Sequence, residues 1–323
     1  MPVTSVTSDP ETLSMTLVGE YPVPVERLWE AFADPRQLER FWGPPTWPAT
    51  FTRHDMIEGG RSDYTMNGPD SESSSGYWIV TAIDPGRSFE VIDGFTGDDG
   101  RPNDEMPSMT MRMEFTATES GSRYTTVTTF PDLASMEQLA EMGMVEGATT
   151  AMAQMDDVLA DLASFAAGRT TASQVLDDTR VRISRIVRGT VEQVWQAHHD
   201  AELMRRWMLG PDGWSMPVCE VGVEPGDSYR FEWEADDGTG RFGFEGEVLE
   251  STPPRRAVTT ERMIGMDGPG ARNELTLTPV AEGTLVTIVV TYPNSEVRDE
   301  VLATGMVDGM EASYARLESL VLV

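Results

Sequence analysis

Tyr229, Phe231 and Trp233 fall on one face of an extended segment, and Arg230, Glu232 and Glu234 fall on the other. Met109, Met111, Met113 and Phe115 alternate in the same way with Thr110, Arg112 and Glu114. A period of two marks a half-buried antiparallel strand. Asp237-Gly238 and Glu282-Gly283 supply turns between such strands. Elsewhere the apolar spacing changes to three and four. It does so at Met144, Ala148, Ala151, Met155, Val158 and Leu162, and again at Met306, Met310, Ser313, Leu317 and Leu320. That spacing predicts a long amphipathic helix in each place, the first begun by a capping box of Ser135 with Gln138, the second by an Asn294 cap. Strands over Glu11 to Glu20 and Val181 to Val187 each lead into a shorter helix. Pro24 suits the first turn of one, and Thr190 with Gln193 forms a capping box on the other. Trp29 and Trp195 on these helices read as core anchors. The order strand, short helix, run of strands, long helix predicts an α+β fold, a curved antiparallel sheet wrapped around its C-terminal helix.

This order occurs twice. Pro24-Val-Glu-Arg-Leu-Trp29-Glu-Ala recurs as Thr190-Val-Glu-Gln-Val-Trp195-Gln-Ala. Each copy continues with an Asp (Asp34, Asp200), a Leu (Leu38, Leu203), a Trp (Trp42, Trp207) and a Gly-Pro pair (Gly43-Pro44, Gly210-Pro211). Glu58-Gly-Gly60 answers Glu224-Pro-Gly226, and Gly143-Met-Val-Glu-Gly147 answers Gly305-Met-Val-Asp-Gly309. Matching order over the full length indicates a tandem duplication. The expected boundaries are a first domain over residues 1–165, a small and polar linker over 166–179, and a second domain over 180–323.

Composition narrows the function. The 323 residues are 39% hydrophobic and 24% charged, enough to bury two cores. The net charge of −30, with no basic cluster, argues against nucleic acid and anionic membrane surfaces as partners. All 24 basic residues are Arg, so no lysine can serve as a Schiff base or general base. The single Cys219, the absence of a signal-like N-terminus and the lack of a membrane-length apolar run fit a cytoplasmic protein.

The repeated pattern (Pro/Thr-Val-Glu-x-Leu/Val-Trp-x-Ala, Asp, Trp near Gly-Pro, an acidic-x-Gly turn and Gly-Met-x-x-Gly) resembles the START-like, or helix-grip, superfamily. The likeness is to its Aha-type branch, homologues of the activator of the heat-shock chaperone ATPase, and it covers nearly the whole chain twice. It implies an internal ligand cavity between sheet and final helix. The superfamily holds binders, cyclases and resistance proteins, some of them in polyketide and enediyne pathways. The eukaryotic co-chaperone's separate chaperone-binding domain has no counterpart here, so chaperone activation is not expected.

Catalytic motifs are sparse. Gly238-Thr-Gly240-Arg-Phe-Gly243 matches a dinucleotide fingerprint, but Phe242, Phe244 and Val248 continue a strand, which places the glycines in a hairpin turn. His54, His198 and His199 lack metal-ligand spacing, and neither a metal nor a cofactor is expected. His198 and His199 read as a solvated helix end, and His54 with Asp55, Glu58 and Arg61 as a surface turn or a polar cluster at a cavity mouth. Glu146 and Asp308 occupy equivalent helix positions. They are the acid/base candidates alongside His54, although an outer, solvated face suits acidic residues better. The candidate ligand-contacting set in the first copy is Trp42, Met109, Met111, Met113, Met144, Met152 and Met155. In the second it is Trp207, Phe231, Trp233, Phe244, Met306, Met310 and Tyr314. Methionine's flexible, polarizable side chain suits adaptable contact with flat ligands, and core filling is the competing role. Gly143 with Gly147, and Gly305 with Gly309, leave bare positions on a helix, to be filled by close sheet packing or by a ligand. These features point first to non-catalytic binding of a bulky hydrophobic or aromatic molecule in natural-product metabolism. A cyclase- or hydrolase-like enzyme comes second. A protein-interaction module using the loops Asn67 to Ser75, Thr96 to Ser108 and Ile264 to Arg272 comes third.

Overall fold

A computed structural model describes residues 3–69, 72–97, 99–160, 170–266 and 268–321, and the chain divides into two compact units, Met1–Leu162 and Ala163–Val323. The first unit runs β1 (Val3–Asp9), β2 (Ser14–Tyr21), α1 (Val25–Ala33), α2 (Pro35–Leu38), β3 (Ala49–His54), β4 (Arg61–Asn67), β5 (Ser73–Asp84), β6 (Ser88–Phe95), β7 (Met109–Thr118), β8 (Gly121–Thr129), α3 (Leu133–Glu141), α4 (Met144–Ala153) and α5 (Met155–Ala160). Its strands form one antiparallel sheet in the order β1-β2-β8-β7-β6-β5-β4-β3. The second unit runs β9 (Ala172–Val175), β10 (Arg180–Val187), α6 (Val191–His199), α7 (Ala201–Trp207), β11 (Trp214–Glu220), β12 (Ser228–Ala235), β13 (Arg241–Thr252), β14 (Arg256–Met263), β15 (Ala271–Val280), β16 (Gly283–Thr291), α8 (Ser295–Ala303) and α9 (Met306–Val321). Its sheet order, β9-β10-β16-β15-β14-β13-β12-β11, repeats the first.

Local chemistry sets these elements. Thr190 caps α6 with the full capping box, Asn294 accepts the Val297 N–H at the start of α8, and Pro24 stands as the N-cap residue of α1. α1 turns Leu28, Trp29 and Phe32 onto the sheet, where Trp29 meets Phe89 and Phe115 edge-on at 5.9 and 5.4 Å. Burying each such side chain stabilises the unit by roughly 1.5–3 kcal/mol. The second unit repeats this with Val194, Trp195, Ala257, Leu277 and Val286 packed beneath Tyr314 and Leu317 of α9.

Four details differ from the sequence reading. The N-terminal segment is a hairpin of β1 and β2 rather than one strand from Glu11, so each sheet gains an edge strand. Residues 166–179, read as linker, contain β9, which pairs with β10; residues 161–169, Leu162 among them, lie outside the described residues. Asp132, not Ser135, caps α3, because its carboxylate reaches the Ser135 N–H at 2.7 Å. The final helix is broken in both units, at Gly143 (φ +84°) and Gly305 (φ +80°). An L side chain there would cost about 1–2 kcal/mol, and glycine nothing comparable.

Candidate functional site

The candidate residues are sought on the inner face of each sheet, the face that meets the helices. In the first unit Phe89 and Phe115 touch Trp29, so period-two alternation brings Val91 and Asp93, and Met113, Met111 and Met109, to the same side. Asp93 is therefore a carboxyl set among apolar neighbours. It is buried, and β5 places Trp78 directly opposite it. The Tyr64 hydroxyl of β4 donates to Asp93 Oδ1 at 3.0 Å. Burial pushes the Asp93 carboxyl up to about 7, against the stabilising pull of Tyr64 and the nearby Trp78 N–H. Burial likewise raises the Tyr64 phenol, with Asp93 adding to the effect. Trp42 closes this patch, its ring 4.6 Å from Trp78 and 6.3 Å from Tyr64. A carboxyl titrating near neutrality beside a tyrosine can donate or accept a hydrogen bond from a ligand.

The second unit holds a carboxyl at the same register position. Asp93 faces Met109 across β6 and β7, as Glu261 faces Ala271 across β14 and β15. Burial raises the Glu261 carboxyl, opposed by a hydrogen bond from Asn273. The surroundings differ. Phe231 stands where the first unit has Tyr64, and Gly246 where it has Trp78. The inner residues Thr259, Asn273 and Leu275 keep part of their surface accessible, as do Phe231 and Phe244 and, on α9, Met306 and Met310. The first-unit counterparts of Thr259, Asn273 and Leu275, which are Val91, Met111 and Met113, are buried, whereas Tyr64 and Met144, the counterparts of Phe231 and Met306, are half-buried like them. The second inner face is the more open one.

The remaining sequence candidates fall into three groups. Met109, Met111, Met113, Met152 and Met155 are buried, and Met144, opening α4, is half-buried. Trp207 and Tyr314 are core residues. Their rings stack at 5.4 Å, and the Trp207 N–H donates to the Ala197 carbonyl. Trp233 is buried too and donates to the Met208 carbonyl, while its ring stacks on Phe242 at 5.1 Å. Trp42 and Trp207, matched in sequence, are not structural equivalents. α1 and α6 keep a constant offset from caps Pro24 and Thr190 to Asp34 and Asp200, which pairs Phe41 with Trp207 and Trp42 with Met208.

Of the acid/base candidates, Glu146 and Asp308 are exposed on their helices. His54 is buried rather than in a surface turn: Nε2 donates to the Phe32 carbonyl at 2.9 Å, which leaves Nδ1 to accept from the Ser62 hydroxyl at 2.9 Å. Glu58 is exposed and Arg61 pairs with Asp63, so neither joins it. His198 and His199 cap the end of α6 but are packed, not solvated. His198 Nδ1 donates to the Val194 carbonyl, its Nε2 faces the Tyr314 hydroxyl at 3.3 Å, and His199 stacks on Trp195 at 3.8 Å. Burial lowers the His198 imidazole to about 4. Cys219 is buried, which raises its thiol. The glycines of residues 238–243 lie in and after the β12–β13 hairpin, as the strand alternation predicts. A Cβ at Gly147 would meet nothing within 4 Å, and one at Gly309 only Pro211 Cδ at 3.8 Å, so close sheet packing does not explain them. A small cleft of about 200 Å³ lined by Ile186, Arg188, Glu282 and Glu318 involves none of these residues. Sequence reasoning missed Asp93, Tyr64 and Glu261. The signal for Asp93 was present in the alternation Phe89, Val91, Asp93.

Comparison with known proteins fits this architecture. The family model described as Activator of Hsp90 ATPase homolog 1-like protein matches residues 22–160 and again 188–321. No curated protein matches the chain. Among solved structures, protein Ms6760 from Mycobacterium smegmatis is 44% identical, covering 50% of this chain and 98% of its own, with a TM-score of 0.47. A protein from Arthrobacter aurescens is 42% identical over 49% of this chain and 92% of its own, with a TM-score of 0.48. DynU16, a protein of the dynemicin biosynthetic locus, aligns over 96% of this chain and 99% of its own at 14% identity, with a TM-score of 0.34. Since the family model accounts for both units and for most of the residues, the chain belongs to the Activator of Hsp90 ATPase homolog 1-like protein family, and carries its domain twice.

Proposed function

We propose that the protein binds a bulky hydrophobic or aromatic small molecule against the inner face of its sheets, without catalysing its conversion. The ligand class is a natural product of polyketide or enediyne type, and the role is carriage, sequestration or self-resistance. One observation supports this most directly. In the second unit Phe231, Phe244, Leu275, Met306 and Met310 keep accessible apolar surface on the side that should be core. Water against such surface is unfavourable by about 25 cal/mol per Å², so a flat apolar ligand gains by displacing it. An enzymatic role is the weaker reading, because Glu146 and Asp308 are exposed and both His54 nitrogens are engaged. Titration with a panel of hydroxyanthraquinones and an enediyne should quench tryptophan fluorescence saturably. A panel that produces no saturable change removes this function.

A further inference from the structure

The inner-face carboxyl is provided for in one unit and not in the other. Asp93 is buried and accepts from the Tyr64 hydroxyl at 3.0 Å. In the second unit Phe231 occupies the tyrosine's position and has nothing to donate. Asn273 supplies Glu261 with one hydrogen bond, and among the described residues no arginine pairs with it. Acids on the opposite face of the same sheet fare differently: Glu232, Glu245, Glu250 and Glu274 each hold an arginine. A carboxylate offers about four acceptor sites, and leaving them short of donors away from bulk water is costly.

Glu261 can also be reached. Inner positions along β14 grade from Ala257, 6% exposed, through half-buried Thr259 and Glu261 to Met263, 40% exposed. On the neighbouring strand Ala271, Asn273 and Leu275 are half-buried as well. The inner face therefore opens toward the β14–β15 hairpin, with the carboxyl just inside the mouth. The matching first-unit positions Phe89, Val91 and Asp93 are all buried. The rim of this mouth is aromatic. The Tyr229 ring lies against Gly246, which the register sets across from Glu261, and 4.9 Å from Phe231, while Phe244 pairs with Met263. Aromatic faces around an unpaired carboxylate attract a cation, and a charge-assisted hydrogen bond is about twice as strong as a neutral one.

Resting on the small-molecule reading above, we infer that the second unit selects aromatic ligands bearing a basic amine, whose ammonium group pairs with Glu261 inside the rim of Tyr229, Phe231 and Phe244. The first unit, where Tyr64 serves the carboxyl from within, has no such preference.

Two near-isosteric probes separate this inference from the function it rests on. 2-Naphthylmethylamine carries an ammonium group where 2-ethylnaphthalene carries a methyl, and equilibrium dialysis against the full-length chain reads both affinities. At neutral pH and about 0.15 M salt, which screens the chain's long-range field, one site should prefer the amine by roughly 10-fold, the worth of one charge-assisted hydrogen bond. Glu261→Gln keeps the shape and should bring that ratio close to one. Phe231→Tyr, which installs the donor that Tyr64 gives Asp93, should lower it as well and decides the matter should Glu261→Gln fail to fold. Glu247→Gln removes the same charge from the exposed outer face and should leave the ratio unchanged. Equal affinity for both probes in the native chain, a preference that survives a folded Glu261→Gln, or one abolished equally by Glu247→Gln overturns the amine subsite and leaves hydrophobic binding standing. If neither probe binds, both readings fall.

Discussion

Asp93→Asn should make the protein more stable at neutral and alkaline pH. Burial holds the native carboxyl at about 7 instead of its ordinary 3.8. Between those values the folded chain keeps a proton that the unfolded chain has released, so stability falls as pH rises from about 4 to about 7. A displacement of about three units, at about 1.4 kcal/mol each, costs the native state about 4 kcal/mol at pH 8. Asparagine has the same shape, offers a carbonyl to the Tyr64 hydroxyl and carries no titratable proton. Urea unfolding of the full-length chain, native against Asp93→Asn, should therefore show midpoints that diverge with pH in favour of the variant. Other ionisable groups act on both proteins alike and cancel in the difference. Parallel curves between about pH 5 and pH 8 would mean that Asp93 titrates like a solvated carboxyl, and the burial argument would be wrong.

The His198 imidazole titrates at about 4 in the folded chain, below its ordinary 6.5, so the second unit loses stability as pH falls through that window, by about 3 kcal/mol at most. His198→Phe copies Phe32, which packs on Phe41 at 5.1 Å in the first unit, and should flatten the acid limb of urea midpoints measured between those values. The glycines of the final helices should respond with opposite signs in thermal melts. Gly143→Ala forces a side chain into a left-handed backbone and should cost about 1 kcal/mol, whereas Gly147→Ala, inside α4 with open space around its Cβ, should gain about 0.5–1 kcal/mol.

Most of the fold could be read from the chain because its signals are local or repeated. The alternation through Phe231 and Trp233, the Thr190 capping box and the duplicated Val-Glu-x-x-Trp segment each survive without tertiary context. What was hidden depends on partners distant in sequence. Asp93 is one of 54 acidic residues, and only its strand register, opposite Trp78, separates it from the solvated majority. The equivalence of Phe41 with Trp207 was obscured because chemical likeness favoured matching Trp42, whereas helix geometry fixes the offset. His54 was read by its polarity, yet Phe32 and Ser62 supply both hydrogen bonds that let it be buried. Alternation puts Met109, Met111 and Met113 on one face of β7, but a period of two cannot say whether such a face is filled, as at Val91, Met111 and Met113, or partly accessible, as at Thr259, Asn273 and Leu275.

The seam joining β2 to β8 pairs residues about a hundred positions apart, Ser14 with Thr129 at one end and Tyr21 with Ser122 at the other. Such a closure gives a unit high contact order and slow folding. On a ribosome adding about 5–20 residues each second, β2 waits roughly 5–20 s for β8 to be made. Throughout that interval Met15 and Leu17 sit on a strand with an unpaired edge, the kind of surface that invites aggregation. β1, folding back after a four-residue turn, covers the opposite edge from the start, and so shields the nascent chain before the rest of its sheet exists.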